Sequence, residues 1–290
     1  MRRADQVICG ALCAFLAVLT YCLLSSVALR GGDLSIHTAW ASEMSLLEPR
    51  SIVRHVVHFL WHLPVGLLVR LGVDSVMAAC LITALWKVGQ FLLLRRWLRG
   101  EDAARPLSAT LWAFAGVWAM SLRLPGQYPG GYFSFLTLAN GTPGFDVIGS
   151  PNVWHSPTQI VSMAMALVTL PCLAGLLRDY ETARAERGAG ATLPWRRLIL
   201  LALWLGLGVL AKPTFLQAFL PAAGTYGLWL LARRYKGAGR FFMQVLLAFL
   251  PALAVFGLSY LYYGGVVSAY GSGLVLAPSA ERLVRGACNL

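Results

Sequence analysis

The sequence predicts an all-α fold: a polytopic transmembrane helix bundle of about seven crossings, with a further re-entrant or interfacial helix on the outer face. Three observations carry this. Of the 290 residues 58% are hydrophobic and only 12% are charged, whereas an average soluble domain carries roughly 25% charged residues. The charges are gathered into clusters separated by long uncharged runs, and mean hydropathy is +0.66. The clusters are mostly basic and sit at the ends of the apolar runs, the arrangement that sets topology in a bilayer.

Each element follows from local pattern. Arg2 and Arg3 precede an apolar run over 7–29, longer than the h-region of a cleaved signal peptide, so the run reads as a retained signal-anchor helix. A polar stretch, 30–54, holds Asp33, His37, Glu43, Glu48 and Arg50. A shorter mixed segment, 55–72, carries His55, His58, His62, Pro64 and Arg70. Clear spans are expected near 74–94, 107–124, 157–177, 197–212, 214–232 and 242–263, with outer loops over 30–73 and 125–156. In lipid such spans must be helical to satisfy their own backbone. All belong to one transmembrane domain, 1–290.

The basic clusters then assign sides. They are Arg2/Arg3, Arg95/Arg96/Arg99/Arg105, Arg178/Arg184/Arg187/Arg196/Arg197 and Arg233/Arg234/Lys236/Arg240. All four fall on one face only if 55–72 does not cross completely, which predicts an N-in, C-out chain with a cytoplasmic N-terminus in the plasma (inner) membrane. A full crossing of 55–72, with one later span misjudged, is the competing topology. The net charge of +12 is accounted for by these clusters, so the expected surroundings are a lipid bilayer and not nucleic acid. Six cysteines without a CxxC pair read as small buried apolar side chains.

With this topology all five histidines, Asp33, Glu43, Glu48, Asp146 and the helix-end Lys212 lie outside. Gly31-Gly32 is a helix-terminating turn signal. If a helix then starts, Asp33 is a fair N-cap and shares a face with His37 at i, i+4. Two readings stand: a plain cap beside a headgroup-facing histidine, or a catalytic pair. The outer loop 125–156 combines Gly-Pro turns with Tyr132, Asp146, Asn152, Trp154 and His155. Trp154 and Tyr132 suit interfacial anchors, and the same set suits a sugar- or headgroup-binding cleft. Arg123 and Lys212 either snorkel to headgroups or hold a phosphate, Arg as a bidentate fork and Lys as a point charge. Lys87, one turn from Gln90 within a span, is expected to face the bundle, with no assigned role.

A first transmembrane helix, an outer loop opening with an acidic residue and a nearby His, and amphipathic or re-entrant helices after it together resemble the C-type glycosyltransferases. These are multi-pass enzymes using sugars on polyprenyl phosphate carriers. The resemblance covers residues 1–175 in layout and rests on Asp33 and, less directly, His37; the chain is shorter than is usual there and fits a truncated member. It implies a polyprenyl-phosphate-linked sugar donor, an outer-side acceptor, and Asp33 as catalytic base or metal-site residue, with a divalent cation as a compatible cofactor. His37 would join it as a catalytic residue, with Arg123, Asp146, Asn152, Trp154, His155 and Lys212 binding substrate.

The alternatives are a carrier or flippase for a lipid-linked or hydrophobic substrate, which would depend on Lys87 and Gln90, and a non-catalytic membrane subunit. His55, His58 and His62, at i, i+3, i+7, share a helical face and read as an interfacial polar stripe in preference to a metal site, with no HEXXH present. Walker, Rossmann and nucleophile-elbow signatures are absent, as is a transporter-type internal repeat.

Overall fold

The structure, a computed structural model, describes residues 2–28, 33–101, 106–119, 156–188, 193–235 and 237–267. These residues form helices and turns, with no strand among them. The helices are α1 (Arg2–Ala28), α2 (Asp33–Glu43), α3 (Pro49–His55), α4 (Phe59–Arg70), α5 (Ser75–Glu101), α6 (Pro106–Ala119), α7 (Pro157–Arg187), α8 (Trp195–Ala211), α9 (Thr214–Ala232) and α10 (Ala238–Val267). A single 3-10 turn, Val56–His58, joins α3 to α4.

Among the described residues, four helices are long and apolar enough to cross a membrane: Arg3–Ser25, Ser75–Gly100, Pro157–Arg187 and Ala238–Leu258. This is fewer than the expected seven. The described part of α6 ends at Ala119, and α8 has 17 residues, below the roughly 20 that a spanning helix needs. α9 has 19 residues without a charged side chain. α4, with 12 residues, reaches only about 18 Å.

The longer helices alternate in direction, as side-chain pairs fix. Arg95 near the end of α5 bonds Asp5 at the start of α1 and Thr110 at the start of α6. Gln90 of α5 bonds Ile160 of α7, and further along both helices Leu93–Gly100 and Leu167–Arg178 line one cavity of about 510 Å³, so these two helices run parallel. Arg197 at the start of α8 pairs with Asp179 of α7 at 2.9 Å. Gly227 of α9 lies against the Phe242 ring of α10. The Arg184 guanidinium lies 4.6 Å from the Tyr235 ring centroid at the α9–α10 turn. The later basic clusters are thereby gathered at one end of the bundle, as their positions in the sequence require.

Packing is tight where side chains are small. Ala78, Ala79, Cys80 and Ala84 of α5 and Ala164 of α7 are buried, letting backbones approach as membrane helix interfaces do. At Gly66 of α4 an added Cβ would lie 2.7 Å from the Ala41 carbonyl oxygen of α2. α2 and α4 are therefore in backbone contact and act as one unit. Trp61 Nε1 donates to Thr83 Oγ1 at 2.9 Å, tying that unit to α5. Gln90 Nε2 donates to the Ile160 carbonyl at 2.6 Å, tying α5 to α7. Lys87 and Gln90 are buried, facing the bundle as expected. Prolines stand inside four helices: Pro64 in α4, Pro171 in α7, Pro221 in α9 and Pro251 in α10.

Candidate functional site

The end of the bundle away from the arginines holds a polar cluster walled by apolar side chains. Its base is α2. Asp33 begins this helix and His37 follows one turn later, so both project from the same face; Asp33 Oδ1 lies 3.5 Å from His37 Nε2. Asp33 stands in the first helical turn, where the exposed backbone N–H groups favour a carboxylate. Its side chain is 36% exposed and that of His37 is 6% exposed. One partner thus meets solvent while the other is held inside.

His37 is met by the segment expected to form an interfacial stripe. That expectation needs correcting: His55 and His62 are buried, 3% and 1% exposed, and turn into the bundle. The cause is the 3-10 turn at Val56–His58, which breaks a continuous helical face, together with the close α2–α4 approach at Gly66. His37 Nδ1 lies 3.0 Å from His62 Nε2, and His62 Nδ1 lies 3.1 Å from His55 Nδ1. His58 packs edge-on against His37 with ring centroids 4.6 Å apart, and its Nδ1 donates to the Ala211 carbonyl at 3.4 Å. Trp40 and Trp61 enclose His37 with edge contacts.

The far side of the cluster comes from α7 and α8. Lys212 caps the C-terminus of α8 in an extended conformation, and its Nζ donates to Ser156 Oγ, the N-cap of α7, at 3.3 Å. Burial lowers the Lys212 pKa and the Asp33 carboxylate raises it in opposition, so the two charges sense each other across the site. Burial also lowers His37, to about 4, against the pull of Asp33 and with a smaller push from Lys212. His58 is lowered to about 3 by burial and then by His37. These imidazoles are neutral at physiological pH, each with one N–H and one lone pair.

His37, His55, His62 and Ser156 of the cluster are buried, while Asp33 is partly exposed. No group of three or more described His, Cys, Asp and Glu side chains is arranged to hold a metal ion.

Of the site residues expected from sequence, Asp33, His37 and Lys212 are brought together from distant parts of the chain. Arg123, Asp146, Asn152, Trp154 and His155 lie outside the described residues. His62, His58 and Ser156 belong to the site and were not expected there. The signal for the histidines was present: three in a segment of otherwise apolar character need partners inside the protein. Nothing in the sequence marks Ser156 beyond its place before Pro157. No protein-family model matches the chain, and no curated protein or solved structure is significantly similar to it.

Proposed function

We propose that the chain is a multi-pass membrane glycosyltransferase that moves a sugar from a polyprenyl-phosphate donor to a hydroxyl acceptor at the outer membrane face. One observation carries this reading: Asp33 pairs with His37, His37 packs on His58, and His58 bonds the Ala211 carbonyl beside Lys212, so a partly exposed carboxylate and an ammonium join one polar cluster although 179 positions separate them in the sequence. Such a reaction needs both. Asp33 takes the acceptor proton as the acceptor oxygen bonds to the sugar's anomeric carbon. The bond from that carbon to the phosphate oxygen breaks, and Lys212 neutralises the charge that develops on the leaving phosphate. Hydroxyls of Ser156 and Thr158, 3.3 Å apart, adjoin the ammonium as further hydrogen-bonding groups.

In this reading the seven alternating helices α1, α5, α6, α7, α8, α9 and α10 are the seven crossings. The arginine end faces the cytoplasm by the positive-inside bias, and α2–α4 is an outer re-entrant unit covered by protein.

The test separates binding from chemistry without knowledge of the sugar. Purified protein is titrated with polyprenyl monophosphate, the part common to all such donors. The wild type is expected to bind, Lys212→Met to bind at least tenfold more weakly, and Asp33→Asn to bind as the wild type does while losing turnover of the sugar-loaded donor. A wild type that does not bind polyprenyl phosphate refutes the proposal.

Lys87, buried in the middle of α5, favours one competing reading, a carrier with an ionisable group at depth. A Lys87→Met variant that abolishes substrate movement across proteoliposomes, with Asp33→Asn harmless, would support it.

A further inference from the structure

We propose that Asp33 and the hydrogen-bonded histidines His37, His62 and His55 form a proton relay running inward from the partly exposed carboxylate. The contacts are in series: Asp33 Oδ1 to His37 Nε2 at 3.5 Å, His37 Nδ1 to His62 Nε2 at 3.0 Å, and His62 Nδ1 to His55 Nδ1 at 3.1 Å. Each interior imidazole uses both ring nitrogens, one toward each neighbour. This is the signature of a chain. In a mononuclear metal centre one nitrogen of each histidine converges on a common point, and the nitrogens here diverge along a line.

The proton count restricts the pattern. A neutral imidazole has one N–H and one lone pair, so a nitrogen–nitrogen contact is a hydrogen bond only if its two ends differ. Fixing the tautomer of His62 therefore fixes the nitrogens that His37 and His55 present to it. The whole series has two registers, one with every N–H pointing toward Asp33 and one with every N–H pointing away. Burial keeps His37 and His62 neutral, which leaves a lone pair in each imidazole to receive a proton. Among the described residues, the charged and titratable groups around the series are Asp33 and His37 on α2, His55 on α3, His58 in the turn, His62 on α4 and Lys212 after α8. His58 stands beside the chain, its Nδ1 committed to Ala211. On the α5 side, the Thr83 hydroxyl is taken by Trp61.

The relay completes the chemistry of the base. In the outgoing register His37 and His62 hold their protons on Nδ1 and His55 on Nε2. The acceptor hydroxyl gives its proton to Asp33, which passes a proton to His37 Nε2. His37 gives its Nδ1 proton to His62 Nε2, and His62 gives its Nδ1 proton to His55 Nδ1. One proton has left the hydroxyl, His55 has become imidazolium, and Asp33 is again a carboxylate; no electrons are exchanged. His55, buried at the end of α3, is the terminal acceptor of the series and holds the proton as imidazolium. The 3.5 Å step at Asp33 is the longest, and contacts of this kind shorten when substrate closes a site. The use of the relay in turnover rests on the glycosyl-transfer reading; its existence does not.

The experiment reads the chain directly. Full-length protein with ¹⁵N-labelled histidine is examined by NMR in detergent near pH 7. Trans-hydrogen-bond nitrogen–nitrogen couplings are expected between His37 and His62 and between His62 and His55, with one protonated nitrogen per ring. Both couplings vanish in His62→Phe. Absence of both in the wild type overturns the proposal, whether or not the variant folds. So does a visible tetrahedral absorption band on adding one equivalent of Co²⁺, which would make the cluster a metal centre. In turnover, His62→Gln is expected to lose about 10²-fold in rate with polyprenyl phosphate binding unchanged, and Lys212→Met to lose binding with both couplings intact. If the wild type binds no polyprenyl phosphate while the couplings are present, the glycosyl-transfer reading fails and the relay stands; if Asp33→Asn keeps full turnover, Asp33 is not the base and the relay is not used in the reaction.

Discussion

Replacing Gly66 with Ala tests the α2–α4 unit on which the site is built. The added methyl would sit 2.7 Å from the Ala41 carbonyl oxygen, a backbone atom, where an ordinary contact begins at 3.4 Å. The two helices must therefore move apart by about 0.7 Å, the difference between those distances. Forcing an extra methyl into a packed contact costs about 1–3 kcal/mol. Ala in a helix interior also gains roughly 1 kcal/mol over Gly in propensity, so the bare Gly66→Ala effect understates the strain. Gly89→Ala supplies the reference, because nothing lies within 4 Å of a Cβ built there and α5 is helical around it. Subtracting one from the other removes the propensity and leaves the strain, a shift of about 5- to 150-fold in the unfolding equilibrium. Unfolding in mixed micelles, titrated with sodium dodecyl sulfate and followed by tryptophan fluorescence, measures both. Equal stabilities for Gly66→Ala and Gly89→Ala would refute the close approach and, with it, the geometry that presents His62 to His37.

Further outcomes can be measured on the same preparation. Asp5 and Arg95 are largely buried together, with Thr110 donating to the same carboxylate. Removing one partner of such a pair leaves the other uncompensated, so Asp5→Ala is expected to lose about 3–5 kcal/mol; a loss below 1 kcal/mol would count against a buried pair. Stability should also fall with acid. His37 and His58 have folded-state pKa values depressed to about 4 and about 3, below the ordinary 6.5 of a free histidine, so the unfolded chain takes up protons first. Their contribution is complete above pH about 6.5 and is lost progressively as pH falls toward 4 and 3. A stability flat between pH 7 and 5, or a slope unchanged in His37→Gln, would contradict the burial. Finally, single cysteines at the exposed positions 47 and 71 should label with an impermeant thiol reagent in intact cells, and those at 100 and 188 should not. Labelling at 100 together with 47 would mean that α4 crosses the bilayer.

The fold class was legible because membrane helices advertise themselves through composition, and the start of α1, α7 and α9 fell within a few residues of the pattern's edges. The ends were less so. α5 continues to Glu101 and α7 to Arg187, because arginine is a good helix former and hydropathy marks only the apolar part. In the site, Asp33 and His37 were readable as a pair from i, i+4 spacing, a local property. The meeting of His37 with His62, and of Lys212 with Ser156, is tertiary. It depends on a turn at Val56–His58 and on one glycine contact, neither of which has a periodic signature.

The distribution of prolines divides the molecule mechanically. A proline inside a helix withholds one amide, so the carbonyl four residues earlier loses its partner and the rod bends there at low cost. α1, α5 and α8 have no internal proline and behave as struts; Lys212 is mounted on the end of one of them. α7, α9 and α10 each carry such a joint near mid-length, and α4, which bears His62, carries another. Bending is thus directed into α7 and α10, the jointed helices that flank the α8 strut. Flexure at those joints changes the shape of the bundle around Lys212 while the strut that carries it stays straight.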